Sequence, residues 1–276
     1  MNMLPVSAVI VARNAEKTIE NCLESVRRND PAEIIVIDGT STDRTLDIAR
    51  AYTERIYSDG GQGVSVAHQL GLEQATQPYI AYIDADIILP EGALKTMLEQ
   101  LNAGGFANVQ AKLMPLKSET YWEKAQDEQI RSRQWRVPGG LSACVLDKEA
   151  ALKIGFDPLI RIAGDDIDFL YRLKSAGYRA GISSIAATHQ HRTDFKELVR
   201  QRFWYGRAKP ALIRKHGPRK GELWAPAVMA YWLAFCIGKG RFNLLPYILV
   251  SGLADSAGMV KGMFELRGAA KKASSE

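Results

Sequence analysis

Short apolar runs alternate with amphipathic stretches through the first half of the chain. Pro5-Val-Ser-Ala-Val-Ile-Val-Ala12 is nearly continuous in apolar residues and stops at Arg13-Asn14, the pattern of a strand buried on both faces. The stretch from Thr18 to Arg28 then places Ile19, Leu23 and Val26 at helical spacing. Ala32 to Asp38 predicts a second strand, closed by an acid, and Thr45 to Tyr52 a second helix. A glycine-rich loop, Tyr57-Ser-Asp-Gly-Gly-Gln-Gly63, precedes a helix predicted over Val64 to Gln74, and Pro78 to Ile83 predicts a strand that ends in Asp84-Ala85-Asp86. Strand and helix alternating at this spacing predict an α/β fold, a mostly parallel Rossmann-like sheet flanked by helices.

Acids at strand ends change the picture from architecture to chemistry. In sheets of this kind ligands collect beyond the carboxyl ends of the strands, and Asp38, the Asp59 to Gly63 loop and Asp84/Asp86 all fall on that rim. Residues i and i+2 of a strand face the same way, so Asp84 and Asp86 can present oxygen to one site while Ala85 faces away. Two hard oxygen donors suit Mg2+ or Mn2+, ions that commonly take their remaining ligands from substrate phosphates, which implies a diphosphate substrate. The plain alternative is a surface turn, where Asp is common. Asp38 likewise serves either the hydroxyls of a ribose or the Ser41/Thr42 turn. The glycine loop either admits a phosphate or ribose close to the backbone or simply connects two elements; it is neither the dinucleotide nor the P-loop signature.

With 276 residues the chain can bury a sizeable core, and its formal net charge of +5 suits phosphate-bearing substrates or an anionic membrane surface. No recognised nucleic-acid reading module is present, which argues against a nucleic-acid partner. Cys22, Cys144 and Cys236 are odd in number and far apart, against a disulfide framework or a thiolate metal cluster and in favour of a reducing compartment. Cys144, within a predicted strand over Ala143 to Leu146, reads as core. The opening residues run into a strand without a signal-peptide pattern.

The string Glu33-Ile-Ile-Val-Ile-Asp38-Gly-Thr-Ser-Thr-Asp43-Arg-Thr, followed about forty residues later by Tyr82-Ile-Asp84-Ala-Asp86, resembles the inverting nucleotide-sugar glycosyltransferases of family 2, which have the GT-A fold. The family's opening pattern is matched by Val9-Ile-Val-Ala-Arg13-Asn14-Ala-Glu16, and the resemblance covers roughly residues 4 to 210. It implies a nucleotide-binding half and an acceptor-binding half built as one domain. Asp38 is then expected near the nucleoside, Ala12, Asn14, Gly63 and Asp84 on the donor side, and Asp86 as the principal metal-contacting acid, with Mn2+ or Mg2+ as cofactor. The chain departs from the family where Asp38-Gly39 replaces the frequent pair of acids.

Later motifs extend the resemblance. Asp165, Asp166 and Asp168 open a predicted helix whose apolar positions Phe169, Leu170 and Leu173 keep helical spacing. Acids there gain ~0.3 to 1 kcal/mol each from the free amides of the first turn, which accounts readily for one of the three. The resemblance implies Asp166 as the general base that deprotonates the acceptor, with Asp165 the rival and Asp168 structural. The glycines of Trp135 to Leu146 either line the sugar pocket or form an ordinary turn. His189-Gln-His191 follows a strand-like run; by resemblance His189 completes the ion or diphosphate site, against packing or solvent exposure as the alternative. In Arg200-Gln-Arg202-Phe-Trp-Tyr-Gly206-Arg207, Arg202 and Arg207 are candidates to clamp diphosphate or a phospholipid acceptor, and Trp204 and Tyr205 to stack on sugar or pack on the sheet.

The final third becomes strongly apolar. The run from Leu223 to Ile237 has fifteen residues, short of the ~20 that span a bilayer, and Pro226 and Pro246 are expected to interrupt this run and the next. Interfacial or re-entrant helices flanked by Lys/Arg and Trp/Tyr are expected, with a helical cap or dimer surface as the alternative. The predicted organisation is a GT-A domain over residues 1–215 and a helical, amphipathic or membrane-interfacial extension over 216–276. The expected activity is inverting transfer of a hexose from a UDP- or GDP-sugar to a hydroxyl or phosphate of a glycan or lipid-linked acceptor. The expected place is the cytoplasmic, inner face of the cell membrane, and a homo-oligomer is compatible with it. A nucleotidyltransferase is the alternative enzyme, although Asp59-Gly-Gly-Gln-Gly63 lacks the cation that an entering triphosphate would want. A noncatalytic carbohydrate-binding or membrane-scaffold protein would need neither the rim acids nor a base.

Overall fold

The computed structural model describes residues 3–116, 119–133, 140–190, 194–217 and 225–273. Four βα units open the chain: β1 (Leu4–Ala12) and α1 (Ile19–Arg27), β2 (Pro31–Asp38) and α2 (Thr45–Arg50), β3 (Ile56–Ser58) and α3 (Val64–Gln74), then β4 (Tyr79–Asp84), the short β5 (Ile87–Ile88) and α4 (Ala93–Gly104). There follow β6 (Asn108–Pro115), α5 (Tyr121–Arg133), β7 (Ala143–Asp147), α6 (Lys148–Ile154), α7 (Asp165–Ser175) and β8 (Ala180–His189). The eight strands form one sheet in the order β3-β2-β1-β4-β7-β6-β8-β5.

The apolar runs are continuous because both faces of the sheet are covered. Along β1, Val6, Ala8, Ile10 and Ala12 join a core with Ile19, Leu23 and Val26 of α1 and Leu94, Met97 and Leu101 of α4, whereas Val9 joins Ala67 and Leu72 of α3 and Phe169, Leu170 and Leu173 of α7 on the other side. All three cysteines are buried and free, Cys144 among the core of β7.

Register levels the strand ends. Ala12 pairs with Asp38, Asp38 with Ser58 and Val11 with Asp84, so β1 to β4, all parallel, finish along one rim. Beyond β4 the sheet is mixed: β7 runs antiparallel to β4 and β6, β8 parallel to β6, and β5 antiparallel to β8.

The chain divides into two compact units. The first comprises Met1–Lys117, Ile130–Arg161 and Asp165–His191, and holds the sheet; the second comprises Ser118–Gln129, Ile162–Gly164 and Arg192–Glu276. In the second unit α8 (Phe195–His216) groups with α9 (Ala225–Gly238) and α10 (Leu245–Ala273), so this unit takes in a helix placed before residue 216. Trp232, Cys236, Leu244, Tyr247 and Ile248 pack there with Leu198 and Ala125. Helices α8 and α10 cross closely: a Cβ on Gly258 would lie 2.0 Å from the Phe203 carbonyl oxygen, and one on Gly206 1.9 Å from that of Asp255.

Pro226 and Pro246 do not interrupt helices. Pro246 is the second residue of α10, where the missing N–H has no intrahelical acceptor to lose, and α10 continues unbroken for 29 residues; Pro226 lies at the beginning of the described part of α9, which runs on to Gly238. Among the described residues no helix is long and apolar enough to cross a membrane.

Candidate active site

The rim loops after β1 and β2 are tied to each other by the motif residues. Asn14, in the left-handed region at φ 50°, accepts the Thr42 N–H at 2.9 Å through Oδ1 and donates its own N–H to Ser41 Oγ at 2.9 Å. Glu16 Oε2 accepts the Arg44 N–H at 3.2 Å, and the Ala15 N–H is donated to Thr45 Oγ1 at 2.7 Å. The Ala12 carbonyl is engaged by the Gly39 N–H at 2.8 Å. Asp38 is buried, and both its carboxylate oxygens accept the Ser41 N–H, at 3.2 and 3.1 Å, the turn-capping use of this residue. An open cavity lined by Asp38, Leu46, Thr53, Ile56, Tyr57 and Ser58 lies against it.

The glycine loop is held by its own acid. Asp59 accepts the N–H groups of Gly61 at 2.7 Å and Gly63 at 3.3 Å. Gly63 has φ 113°, and a Cβ on it would sit 2.4 Å from the Arg161 carbonyl oxygen. The close approach that demands glycine here is therefore to the segment before α7.

Asp84 is the last residue of β4, and Ala85 and Asp86 form a turn into β5, so strand alternation does not extend to Asp86. The Asp84 carboxylate accepts a hydrogen bond from the Ser142 side chain, and its backbone N–H is donated to the Ser142 carbonyl at 2.8 Å. Burial and the neighbouring Asp86 charge raise its pKa, against Ser142, His68 and His189. Because β5 pairs with β8, with Ile87 opposite His189, the His189 Nε2 comes to 3.2 Å from Asp86 Oδ2. His191 and Trp135 to Gly139 lie outside the described residues.

Asp165, Asp166 and Asp168 occupy the first turn of α7 and have three different surroundings. Asp168 is fully buried and pairs with Arg172 at 2.7 Å; the same guanidinium donates to the carbonyls of Ile154 and Gly155. Asp165 is buried with Oδ2 2.6 Å from His68 Nδ1. Asp166 is half-buried; its Oδ1 accepts the Ile167 N–H at 2.7 Å, and a Cβ on Gly140 would lie 3.2 Å from its Oδ2. Burial first, then the charge of Asp165, pushes the Asp166 pKa up to about 7, near the value suited to a base at neutral pH.

Arg202 and Arg207 are engaged within the second unit. Arg202 Nη2 donates to the Tyr247 hydroxyl at 2.5 Å, and that hydroxyl donates to Gln129 Oε1 at 3.1 Å. Arg207 pairs with Glu265 at 2.7 Å, and the Trp204 indole donates to the Ile162 carbonyl at 3.1 Å.

No sequence motif marks His68, and Ser142 lies in the Trp135 to Leu146 stretch without being singled out there. Ser142 is an unremarkable residue before a strand, and His68 is a lone histidine in a helix; only their long-range partners distinguish them.

A parallel half-sheet with acids along its rim and a mixed half carrying a histidine beside the last of those acids define the class: a GT-A fold. The family model described as Glycosyl transferase family 2 matches residues 7–162, and the chain belongs to that family. Among its relatives is the pre-mycofactocin glycosyltransferase of Mycobacterium tuberculosis (strain ATCC 25618 / H37Rv), 24% identical over 263 residues, covering 88% of this chain and 55% of the relative. The lipopolysaccharide core biosynthesis glycosyltransferase LpsC of Rhizobium meliloti is 36% identical over 105 residues, 36% of this chain and 38% of LpsC. The chain thus spans about half the length, or less, of these relatives. Solved structures share the fold. Glucosyl-3-phosphoglycerate synthase from Mycobacterium tuberculosis in complex with Mn2+, UDP and phosphoglyceric acid aligns with a TM-score of 0.53 at 21% identity, covering 70% of this chain and 72% of that one. Mannosyl-3-phosphoglycerate synthase from Rubrobacter xylanophilus aligns with 0.55 at 21% identity, covering 77% and 74%.

Proposed function

We propose that this protein transfers a hexose, with inversion, from a UDP- or GDP-sugar to a hydroxyl or phosphate oxygen of a glycan or lipid-linked acceptor. The observation that carries this reading is the division of the acids: Asp86 beside His189 at one place on the sheet and Asp166, with its raised pKa, at another. In the reaction the acceptor O–H gives its proton to Asp166. Its oxygen forms the new bond to the anomeric carbon while the bond from that carbon to the diphosphate oxygen breaks, releasing the nucleoside diphosphate. The cavity against Asp38, lined by Ile56 and Tyr57 together with the polar Thr53 and Ser58 and the charged Arg50 and Glu54, suits the nucleoside.

Asp86 and His189 fit a divalent ion. Their ligating atoms lie 3.2 Å apart, and a site with few protein ligands would leave positions for substrate phosphates. Asp84, held by Ser142, supplies negative charge next to it. A bound Mn2+ or Mg2+ would counter the charge that develops on the leaving diphosphate. The complex of the similarly folded glucosyl-3-phosphoglycerate synthase with Mn2+ and UDP supports this reading.

The second unit supports an anionic lipid surface as the place of action. From Ala225 to Ala254 there is no Asp or Glu. Tyr231, Ile237 and Phe242 are exposed there, and Leu249, Leu253, Val260 and Phe264 of α10 are exposed within about 60° of one another at ~100° per residue. Lys239, Lys261 and Arg267 are exposed alongside them. An apolar face with cations at its margin matches the inner leaflet in both solvent preference and charge, which suits a lipid-linked acceptor.

Calorimetric titration with UDP and with GDP, each with and without Mn2+, tests the reading. Binding of one nucleotide that requires the ion is expected; failure of both nucleotides to bind would overturn the donor assignment.

A further inference from the structure

We propose that His68 is a positioning residue for the base, pairing with Asp165 in the protein interior and leaving Asp166 as the acid of that pair that receives the acceptor proton. This rests on the glycosyl-transfer reading above.

The contact is short and sealed. His68 Nδ1 and Asp165 Oδ2 are 2.6 Å apart, and the residues are 6% and 5% exposed. Two polar groups removed from water in this way are costly unless they satisfy each other, so each fixes the other in place. The ring has little freedom to leave. It stacks on Phe156 with centroids 5.2 Å apart and meets Tyr82 edge-on at 4.8 Å, while the Tyr82 hydroxyl donates to the His68 carbonyl at 2.6 Å.

The position of His68 in the chain gives this pair a consequence for catalysis. It lies on α3, directly after the Asp59 to Gly63 loop on the donor rim, and Asp165 begins α7. The first turn of α3 is also tied to the segment before α7, since Ser65 Oγ donates to the Ile160 carbonyl at 2.6 Å and the Gly63 backbone abuts Arg161. One helix therefore holds the donor loop at its start and the base helix through His68. Asp165 is committed to an internal partner, whereas Asp166, next in sequence, has its Oδ2 directed toward the Gly140 backbone.

Charge follows the same division. The ionisable groups that act on His68 are Asp165 and Asp166 from α7 and Asp84 from β4, and those acting on Asp166 include Asp165, Asp84 and His68. Burial works against an imidazolium, yet the three carboxylates outweigh it and the His68 pKa is raised. His68 in turn acts to lower the Asp166 pKa, against the burial and the Asp165 charge that raise it.

Carbon-13 carboxyl titration of Asp166 in the wild-type protein and in His68→Leu and His68→Asn tests this without any substrate. Because both variants remove the charged imidazole, a rise of the Asp166 midpoint by ~1 unit from about 7 is expected in His68→Leu and in His68→Asn alike. In kinetics with the donor and acceptor turned over by wild type, His68→Leu should lower kcat ~10-fold or more and shift the acidic limb upward, with donor KM within twofold. An Asp166 midpoint and pH profile unmoved in a His68→Leu protein of wild-type circular dichroism would overturn the proposal, as would Asp165→Asn losing as much turnover as Asp166→Asn. Mn2+-dependent UDP binding reads the transferase assignment separately, because His68 makes no part of the Asp86 and His189 pair.

Discussion

His189 Nε2 lies 3.2 Å from Asp86 Oδ2 although 103 residues separate them. Two backbone relations bring them together: Ile87 pairs with His189 across β5 and β8, and the Gln190 N–H donates to the Asp86 carbonyl at 3.1 Å. If this pair holds the divalent ion, Asp86→Ala abolishes the Mn2+-dependent part of nucleotide affinity and His189→Ala lowers it ~10-fold or more. Calorimetry with Mn2+ and UDP or GDP measures both. An Asp86→Ala protein whose affinity still responds to Mn2+ would remove the site.

Asp166→Asn keeps the shape of the side chain and removes the base. Turnover is expected to fall ~100-fold to 10,000-fold with nucleotide binding unchanged. In the wild type, kcat/KM should rise with pH through a midpoint near 7, because Asp166 must be ionised to accept a proton. Retained turnover in the variant would pass the role to another group.

The raised pKa of Asp166 also has a stability sign. Between the ordinary carboxylate range and about 7 the unfolded chain ionises this group before the folded one does, so folding takes up a proton and stability falls as pH rises through that window. Asp166→Asn escapes the penalty. Its melting temperature should exceed that of wild type by ~2 °C or more at pH 8 and match it near pH 4, as read by calorimetric scans.

Gly140→Ala places a methyl group 3.2 Å from Asp166 Oδ2 and 3.5 Å from Gln110 Nε2. A drop in kcat without loss of nucleotide binding is expected. Gly63→Ala meets the Arg161 carbonyl and an unfavourable φ together, and should cost ~1–3 kcal/mol in denaturant unfolding.

For the lipid surface, Leu253→Asp and Phe264→Asp alter side chains that are 61% and 67% exposed and should leave the fold intact. Sedimentation with phosphatidylglycerol vesicles is expected for the wild type and lost in the double variant, with weak binding to phosphatidylcholine alone. Equal binding by the variant would exclude this face; a wild-type dimer broken by the same changes would assign it to a second copy instead.

Local pattern determined much of this protein. Burial on both faces writes a continuous apolar run, so β1, β2 and β4 are legible, and a glycine loop followed by 3.6-residue spacing marks α3 from Val64 to Gln74. Acids placed where such runs stop are expected on the carboxyl rim of parallel strands, and Asp38 and Asp84 do end their strands there, opposite Ala12 and Val11 of β1. Tertiary structure decided the rest. Periodicity reports that a strand is buried but not which strand lies beside it, so the antiparallel insertion of β7 and the meeting of Asp86 with His189 have no local signature. The turn at Ala85 and Asp86, the need for glycine at Gly63 opposite Arg161, and the pairing of His68 with Asp165 each depend on a partner far along the chain. Pro246 reads as an interruption in an apolar run, yet it sits in the first turn of α10, because a proline there gives up no intrahelical hydrogen bond and only the folded chain shows where that helix begins.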